Sequence, residues 1–292
     1  MSKIIIITGA SSGFGALTAR ALVDAGHTVY AGMRATTGDG AIAAADAMAY
    51  SDRLRPIRMD VTDQLSVDRA VTKVINDEKR LDVVIHNAGH LVMGAAEAFT
   101  PDQLTNLWET NVVSTQRVNR AALPQLREQG DGLVVWVGSS SKNGGTPPFQ
   151  GPYFATKSAE DALAVSYSTE LSRFGIETSI IVPGAFTRGT NHFANAGHPD
   201  DEEVVAAYEE RYAGLRDEMT RRQSEMLPSN SDPADVARAI VEVVGMPKGQ
   251  RPFRVHIDPS DDGSVVVDAA ADANRERFYR RVGYPELLKP VL

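Results

Sequence analysis

Tyr153 and Lys157 stand four residues apart in the run PYFATK. On a helix that spacing places both on one face, about one turn apart. A free phenol, with a pKa of about 10, is a poor proton donor or acceptor at neutral pH. An ammonium about 4 Å away stabilises a phenolate by roughly 4 kcal/mol at an effective dielectric of about 20. Before desolvation is counted, that suffices to carry Tyr153 toward working pH as a general acid or base. Ser140 lies just past the apolar run GLVVWV, thirteen residues before Tyr153. A hydroxyl there can donate to a carbonyl oxygen while Tyr153 moves the proton. Asn111 falls inside a long helical pattern opened by Pro101. Asn is a mediocre helix former, so Thr110-Asn111 points to a packing, kinking or water-holding duty. Each residue alone has a plainer alternative: an exposed Tyr–Lys pair, a turn cluster at Ser139–Ser141, an exposed helical Asn.

These residues need elements that bring them together, and the first is Lys3–Gly15, KIIIITGASSGFG. Four isoleucines form a β-branched run that suits a strand buried on both faces. A turn through Gly9, Ser11, Ser12, Gly13, Phe14 and Gly15 leads into a helix pattern at Ala16–Ala25. Strand, glycine turn and helix start aim backbone N–H groups at a pyrophosphate. The rhythm then repeats, with strands at His27–Met33, Leu54–Met59, Leu81–His86, Gly132–Val137 and Ile176–Val182. Between them come a loop at Thr36–Gly40 with an Ala-rich helix to about Tyr50, and a helix from a Thr62 or Asp63 cap to Lys79. Longer helices follow at about 101–127 and 153–174.

Six β-α repeats with short joints predict a doubly wound, mainly parallel Rossmann-type sheet with helices on both faces. Phe253–Ile257 supplies a seventh strand at its edge. Pro199–Met226 is charged and mostly helical, either a solvated amphipathic helix or a cover over the site. Residues 185–230 are expected to form a lid inside a single domain of 1–292. Ser231–Val244 and Val265–Arg281 complete the chain as helices of a C-terminal extension.

Composition narrows the chemistry. The 292 residues are 42% hydrophobic and 23% charged, enough apolar content for a sizeable core. A net charge of −8 argues against nucleic acid or an anionic membrane as the main partner. Cysteine is absent, which excludes disulfides, thiolate chemistry and Cys-based metal sites. No window approaches the roughly 18 apolar residues of a spanning helix, and the opening apolar run is short for a signal peptide. A cytoplasmic protein is expected.

Thr8-Gly9-x-x-x-Gly13-x-Gly15, Asn87-Ala88-Gly89, Asn111, Ser140 and Tyr153-x-x-x-Lys157 resemble, in order and spacing, the compact branch of the short-chain dehydrogenase/reductase family. The resemblance covers about residues 3–190. It implies that Tyr153 is the general acid in carbonyl reduction and the base in alcohol oxidation. By the same resemblance Lys157 lowers the Tyr153 pKa and bonds the nicotinamide ribose, Ser140 polarises the substrate oxygen, and Asn111 holds a relay water. Asn87, Ala88 and Gly89 would support the sheet and the adenosine side, and Asp60 and Val61 would meet the adenine. Pro183, Gly184 and either Thr187 or Thr190 correspond to the segment that touches the carboxamide. His86 stands where the family usually has the first Asn of NNAG.

Cofactor choice rests on the end of the second strand. NAD sites use a carboxylate there for the ribose 2′-hydroxyl, and NADP sites use a nearby Arg. Met33 occupies the acidic position and Arg34 follows it, with no acid until Asp39. A guanidinium suits a 2′-phosphate, so NADP(H) is favoured over NAD(H). The rival arrangement stacks Arg34 on adenine and brings Asp39 back to the ribose. The leading function is an NADP(H)-linked oxidoreductase acting on a small-molecule carbonyl or secondary alcohol. No metal is required, because hydroxyls and Lys157 supply the electrostatic stabilisation. Substrate should lie among Leu91–Gly94, Lys142–Pro152 and Phe186–Met226, against a partly apolar wall of Met93, Phe149, Phe186 and Phe193. The alternative is a non-catalytic, dinucleotide-sensing protein on the same fold. A methyltransferase would explain the glycine loop but not Ser140, Tyr153 and Lys157 together. The resemblance implies a homodimer or homotetramer paired through the two long helices.

Overall fold

A computed structural model describes residues 2–292. Its strands are β1 (Ile4–Ile7), β2 (Thr28–Met33), β3 (Leu54–Arg58), β4 (Val83–His86), β5 (Gly132–Val137), β6 (Ile176–Pro183) and β7 (Arg254–Ile257). Its helices are α1 (Gly13–Asp24), α2 (Ala41–Tyr50), α3 (Gln64–Glu78), α4 (Pro101–Trp108), α5 (Ser114–Gln129) and α6 (Gly151–Glu170). After them come α7 (Glu202–Arg211), α8 (Leu215–Met226), α9 (Ala234–Gly245) and α10 (Ser264–Val282). The strands form one sheet in the order β3-β2-β1-β4-β5-β6-β7. Every pairing is parallel, so the sheet is wholly rather than mainly parallel.

The isoleucine run shows how two faces are filled at once. Successive strand side chains point to opposite sides. Ile4 and Ile6 pack with α3, α5 and α6 through Val67, Val118 and Ala164. Ile5 and Ile7 pack with α1, α2 and α9 through Leu22, Ala44 and Ile240. Each such burial contributes roughly 1.5–3 kcal/mol relative to exposure. The chain winds outward in one direction from β1 through β2 to β3, and in the other from β4 onward. The crevice between the carboxyl ends of β1 and β4 is therefore the switch point where ligands bind in such sheets.

Three elements differ from the sequence expectation, and one open choice is resolved. Helix α1 begins at Gly13, not Ala16, so the glycine loop is itself the helix N-terminus. Asp63, not Thr62, caps α3 by accepting from the Leu65 N–H at 3.0 Å. The helix expected over 101–127 opens with a Thr100–Gln103 capping box but passes through a π-turn at Glu109–Val113 between α4 and α5. The charged stretch after Pro199 is two helices, α7 and α8, parted near Gly214, which adopts a left-handed conformation.

The C-terminal elements are tied to the middle of the chain by a buried ionic cluster. Lys142, just after β5, lies 2.6 Å from Asp268 of α10 and 2.9 Å from Asp161 of α6. Arg254 of β7 bonds Asp161 at 2.5 Å and Asp272 at 3.0 Å. Asp268 is fully buried and also meets His256 at 2.9 Å. Farther along, Arg275 and Tyr279 of α10 bond Ser168 and Thr169 of α6. Helix α10 thus lies along α6, the helix that carries Tyr153 and Lys157.

Candidate active site

The carboxyl ends of β1, β4, β5 and β6 open into a cleft of about 270 Å³. On one wall is the glycine loop. Gly9 has φ +66°, and a Cβ there would stand 2.8 Å from the Ala88 Cα. A Cβ on Gly15 would stand 2.3 Å from the Gly9 carbonyl oxygen and 2.5 Å from Asn87 Nδ2. Neither position admits a side chain without displacing backbone. Asn87 laces the loop to β4: its Nδ2 donates to the carbonyls of Thr8 (2.9 Å) and Gly9 (3.1 Å), and its N–H donates to Thr8 Oγ1 (3.0 Å). The Ala88 N–H donates to the same hydroxyl at 3.0 Å. Ser12 precedes α1 in extended conformation and its side chain makes no capping bond. The first-turn N–H groups at Gly13 and Phe14 therefore face the cleft with no internal acceptor. Such a cradle fits a pyrophosphate by hydrogen bonding and by helix dipole.

Ser11 is exposed at the edge of this wall, beside a second depression that Asp39 lines. Arg34 is exposed where β2 ends, and lies close enough to His90 to help hold that imidazole below its usual pKa, after burial. Asp60 Oδ1 accepts from the Thr62 N–H (3.0 Å) and hydroxyl (2.7 Å), while Val61 is buried. Arg34, Asp60 and Val61 stand outside the main cleft, on the β2–β3 side.

The opposite wall is α6. Tyr153 occupies its first turn and Lys157 the next, and both are buried. Lys157 Nζ donates to the Val137 carbonyl at 3.1 Å and to Glu160 Oε2 at 2.7 Å. Ser139 and Ser140 both line the cleft, and the Ser139 hydroxyl, which also accepts from Ser141 at 2.8 Å, acts to lower the Tyr153 phenol. Ser139 continues the extended backbone of β5, whereas Ser140 begins a tight turn and directs its own hydroxyl to Asp262. The chain changes direction between the two, so Ser139 is a second candidate beside the Ser140 that the thirteen-residue spacing selects. Ser139→Ala is expected to cut kcat/KM by about 100-fold or more, the scale of a lost oxyanion donor, and Ser140→Ala by less than about tenfold. Steady-state kinetics giving the reverse order would restore Ser140.

Burial sets the acidity of this cluster. It pushes the Tyr153 phenol above its ordinary range, Lys157 and Ser139 pull the other way, and Glu160 adds to the rise. The downward shift expected from Lys157 alone is overturned, because desolvation and the Glu160 charge outweigh one ammonium. Burial by itself would lower the Lys157 ammonium, but Glu160 and Tyr153 reverse this and hold it raised.

Asn111 sits at the π-turn with its side chain fully committed. Its Oδ1 accepts from the His90 N–H at 2.7 Å, and its Nδ2 donates to the His90 carbonyl (2.9 Å) and Thr156 Oγ1 (3.0 Å). Asn111 thus ties the segment after β4 to α6 through its side chain. Gly89 runs beside it: a Cβ there would lie 3.7 Å from both Asn111 Oδ1 and Lys157 Nζ. His86 is buried against Trp136, bonded to Asn119 at 2.9 Å, and pushed down to about 4 by burial.

On the third side, Pro183, Gly184 and Phe186 line the cleft. Thr190 joins them, whereas Thr187 turns away to Ser224 of α8 at 3.1 Å. Phe193 lines the same cleft; Phe149 instead walls a separate small cavity with Tyr208 and Tyr212, and Met93 lines neither. Helix α8 borders the cleft through Gln223, which bonds Gln150 at 3.3 Å, and just past the helix the Leu227 carbonyl accepts from Arg188 at 2.8 Å.

Sequence reasoning missed four residues here: Ser139, Glu160, His192 and Asp262. His192 packs edge-on against Tyr153 at 5.8 Å and is pushed down to about 4, first by burial and then by the Lys157 charge. Asp262 lines the cleft from the β7–α10 loop, with its carboxyl raised first by burial and then by neighbouring Asp258 against the Ser140 bond. Glu160 alone carried a readable signal, the helical spacing to Tyr153 and Lys157.

A phosphate cradle at the switch point of a parallel sheet, facing a buried Tyr–Lys pair, is the frame of a dinucleotide-dependent oxidoreductase. More narrowly, the chain belongs to the short-chain dehydrogenase/reductase family, since residues 3–200 match the family model described as short chain dehydrogenase. It is 30% identical over 261 residues, 88% of each chain, to a 3-ketodihydrosphingosine reductase of Bacteroides thetaiotaomicron. It is 36% identical over 186 residues to human 17-beta-hydroxysteroid dehydrogenase type 1, covering 62% of this chain and 56% of that one. Among solved structures, a short-chain dehydrogenase from Streptomyces avermitilis superposes with a TM-score of 0.75 at 31% identity, over 97% of this chain and 98% of the other. The protein is therefore an enzyme of the dehydrogenase/reductase type, acting on CH–OH groups with a nicotinamide cofactor.

Proposed function

We propose that this enzyme is an NADP(H)-linked oxidoreductase that interconverts a carbonyl compound and its secondary alcohol, with Tyr153 as general acid and base. The observation that carries the reading is the buried Tyr153 phenol beside the Ser139 hydroxyl, with Lys157 one turn behind it. The glycine loop and the α1 N-terminus would hold the pyrophosphate. Asp60 and Val61 would meet the adenine, and Pro183, Gly184 and Thr190 the nicotinamide end. When bound, the nicotinamide supplies or accepts the hydride at the carbonyl carbon. Ser139 donates a hydrogen bond to the substrate oxygen, and Tyr153 gives that oxygen its proton in reduction. A phenol held protonated by burial suits the donor role at neutral pH. The names of two relatives, a ketodihydrosphingosine reductase and a hydroxysteroid dehydrogenase, support chemistry at a ketone or hydroxyl. Phe186 and Phe193 suit a partly apolar substrate.

Residues 185–230 act as a substrate lid inside a single domain of 1–292, with α8 as its covering element. Homo-oligomers paired through the long helices would use α4 and α5, because α10 of the same chain already lies along part of α6. No helix among the described residues is long and apolar enough to cross a membrane, and we assign the enzyme to the cytoplasm.

The test is a panel of ketones and secondary alcohols followed by nicotinamide absorbance with each cofactor. NADPH-dependent reduction of apolar ketones is expected. Cofactor binding with no turnover on any compound would favour a nucleotide-sensing protein instead. Arg34 supports the phosphorylated cofactor, since it is an exposed guanidinium at the end of β2. Arg34→Ala is expected to raise the KM for NADPH at least about tenfold and that for NADH less than about twofold. Equal effects on both would sink the assignment.

A further inference from the structure

Glu160 follows Lys157 by three residues and Tyr153 by seven, so all three share one face of α6. Its side chain is only 2% exposed, an expensive place for a carboxylate unless it is paired. Its partner is Lys157 Nζ, 2.7 Å away. An ammonium has three donors. In Lys157 one is spent on the Val137 carbonyl and one on Glu160, leaving one for the cleft that Lys157 lines. We propose that Glu160 is a positioning residue that holds the Lys157 ammonium against β5 and balances its charge. Tyr153 then rests as a neutral phenol, the form that donates a proton during carbonyl reduction. The inference deepens the general-acid reading of Tyr153 and rests on it.

Other charged groups around the pair are answered elsewhere. Asp161, next on α6, is turned to Lys142 and Arg254, which Asp268 and Asp272 also face from α10. His256 of β7 joins the same cluster through Asp268. His192, from the segment after β6, faces the Tyr153 ring as a neutral imidazole. Asp262 looks toward Ser140 and Asp258. The π-turn offers uncharged Asn111, while its Glu109 pairs with Arg117. Lys157 and Glu160 are thus the groups that act on the phenol, and they act as a couple: burial raises the Glu160 carboxyl and Lys157 pulls it back. Both appear among the influences on Tyr153, with opposite signs and after burial.

The test needs no substrate. Phenolate absorbance is titrated in the unliganded protein, and subtraction of the Tyr153→Phe curve isolates Tyr153; Glu160→Gln is paired with its own Tyr153→Phe double variant. Tyr153 should titrate above the ordinary value of about 10 in the unaltered protein. Glu160→Gln should move it down by about one pH unit, the effect of removing one charge across an interior of effective dielectric about 20. Glu160→Asp keeps the charge and should leave the midpoint within a few tenths of the original. An unmoved or upward midpoint in Glu160→Gln overturns the proposal. Should that variant not fold, the unaltered protein decides alone: a midpoint well below about 10 would reveal an unbalanced ammonium and overturn it too. Activity surviving in Tyr153→Phe would instead sink the general-acid reading, and the titration would still judge Glu160.

Discussion

Tyr153→Phe is expected to lower turnover by at least about 1000-fold, within the range lost with a general acid, while NADPH affinity changes less than about threefold. The substitution removes one oxygen and little else. The ring stays wedged between His192 at 5.8 Å and Phe154 at 6.3 Å. The glycine loop lies across the cleft, on β1 and α1, and has no contact to lose. Kinetics on the best substrate of the panel, set beside NADPH binding followed by fluorescence, separates the two effects. Retained turnover would mean that another group moves the proton. A parallel loss of binding would mean that the phenol holds the cofactor rather than the reacting oxygen.

Lys157→Met should cost stability as well as activity. Removing one partner of a buried ion pair strands the other, at roughly 3–5 kcal/mol. Here the stranded group is Glu160, buried on the same helix. The variant is expected to unfold at markedly lower urea and to be inactive. The double variant Lys157→Met, Glu160→Met should regain most of the stability, since two apolar side chains of similar volume often replace a buried pair without loss. It should regain no activity. Urea unfolding of the three proteins checks this. A single variant as stable as the parent would show that the pair is already neutral in the folded state. A double variant that recovers turnover would remove Lys157 from the chemistry.

Much of this architecture is readable from local signals. The isoleucine run, the spacing of glycine turns and the β-α rhythm fix the strands, because each depends on side-chain period or on a turn residue nearby. The same holds for Tyr153 and Lys157, which meet through helical spacing alone. What could not be read depends on groups distant in sequence or on burial. Ser139 and Ser140 are equivalent as residues, and only the turn that starts at Ser140 sets them in different surroundings. The π-turn at Asn111 is held by His90, twenty-one residues away. Thr187 and Thr190 are separated by what α8 does above them. Glu160 had the right spacing, yet an acidic residue on a helix reads as solvated until its burial is known. The acidity of Tyr153 followed the same logic, since a Coulomb estimate without desolvation had the wrong sign.

The ionic cluster around Lys142 has a further consequence, for the order in which the enzyme is built. Tyr153, Lys157 and the serines are encoded in the first half of the chain or just beyond it, and the family match ends at residue 200. The fully buried counter-charge of Lys142, Asp268, comes near the end, with Arg254 and Asp272 close by in sequence. Domains emerge from the ribosome N-terminal end first. The serine turn therefore leaves it with a cation that has only part of its eventual company until α10 follows. A message cut short after residue 200 would encode every motif and yield no completed enzyme.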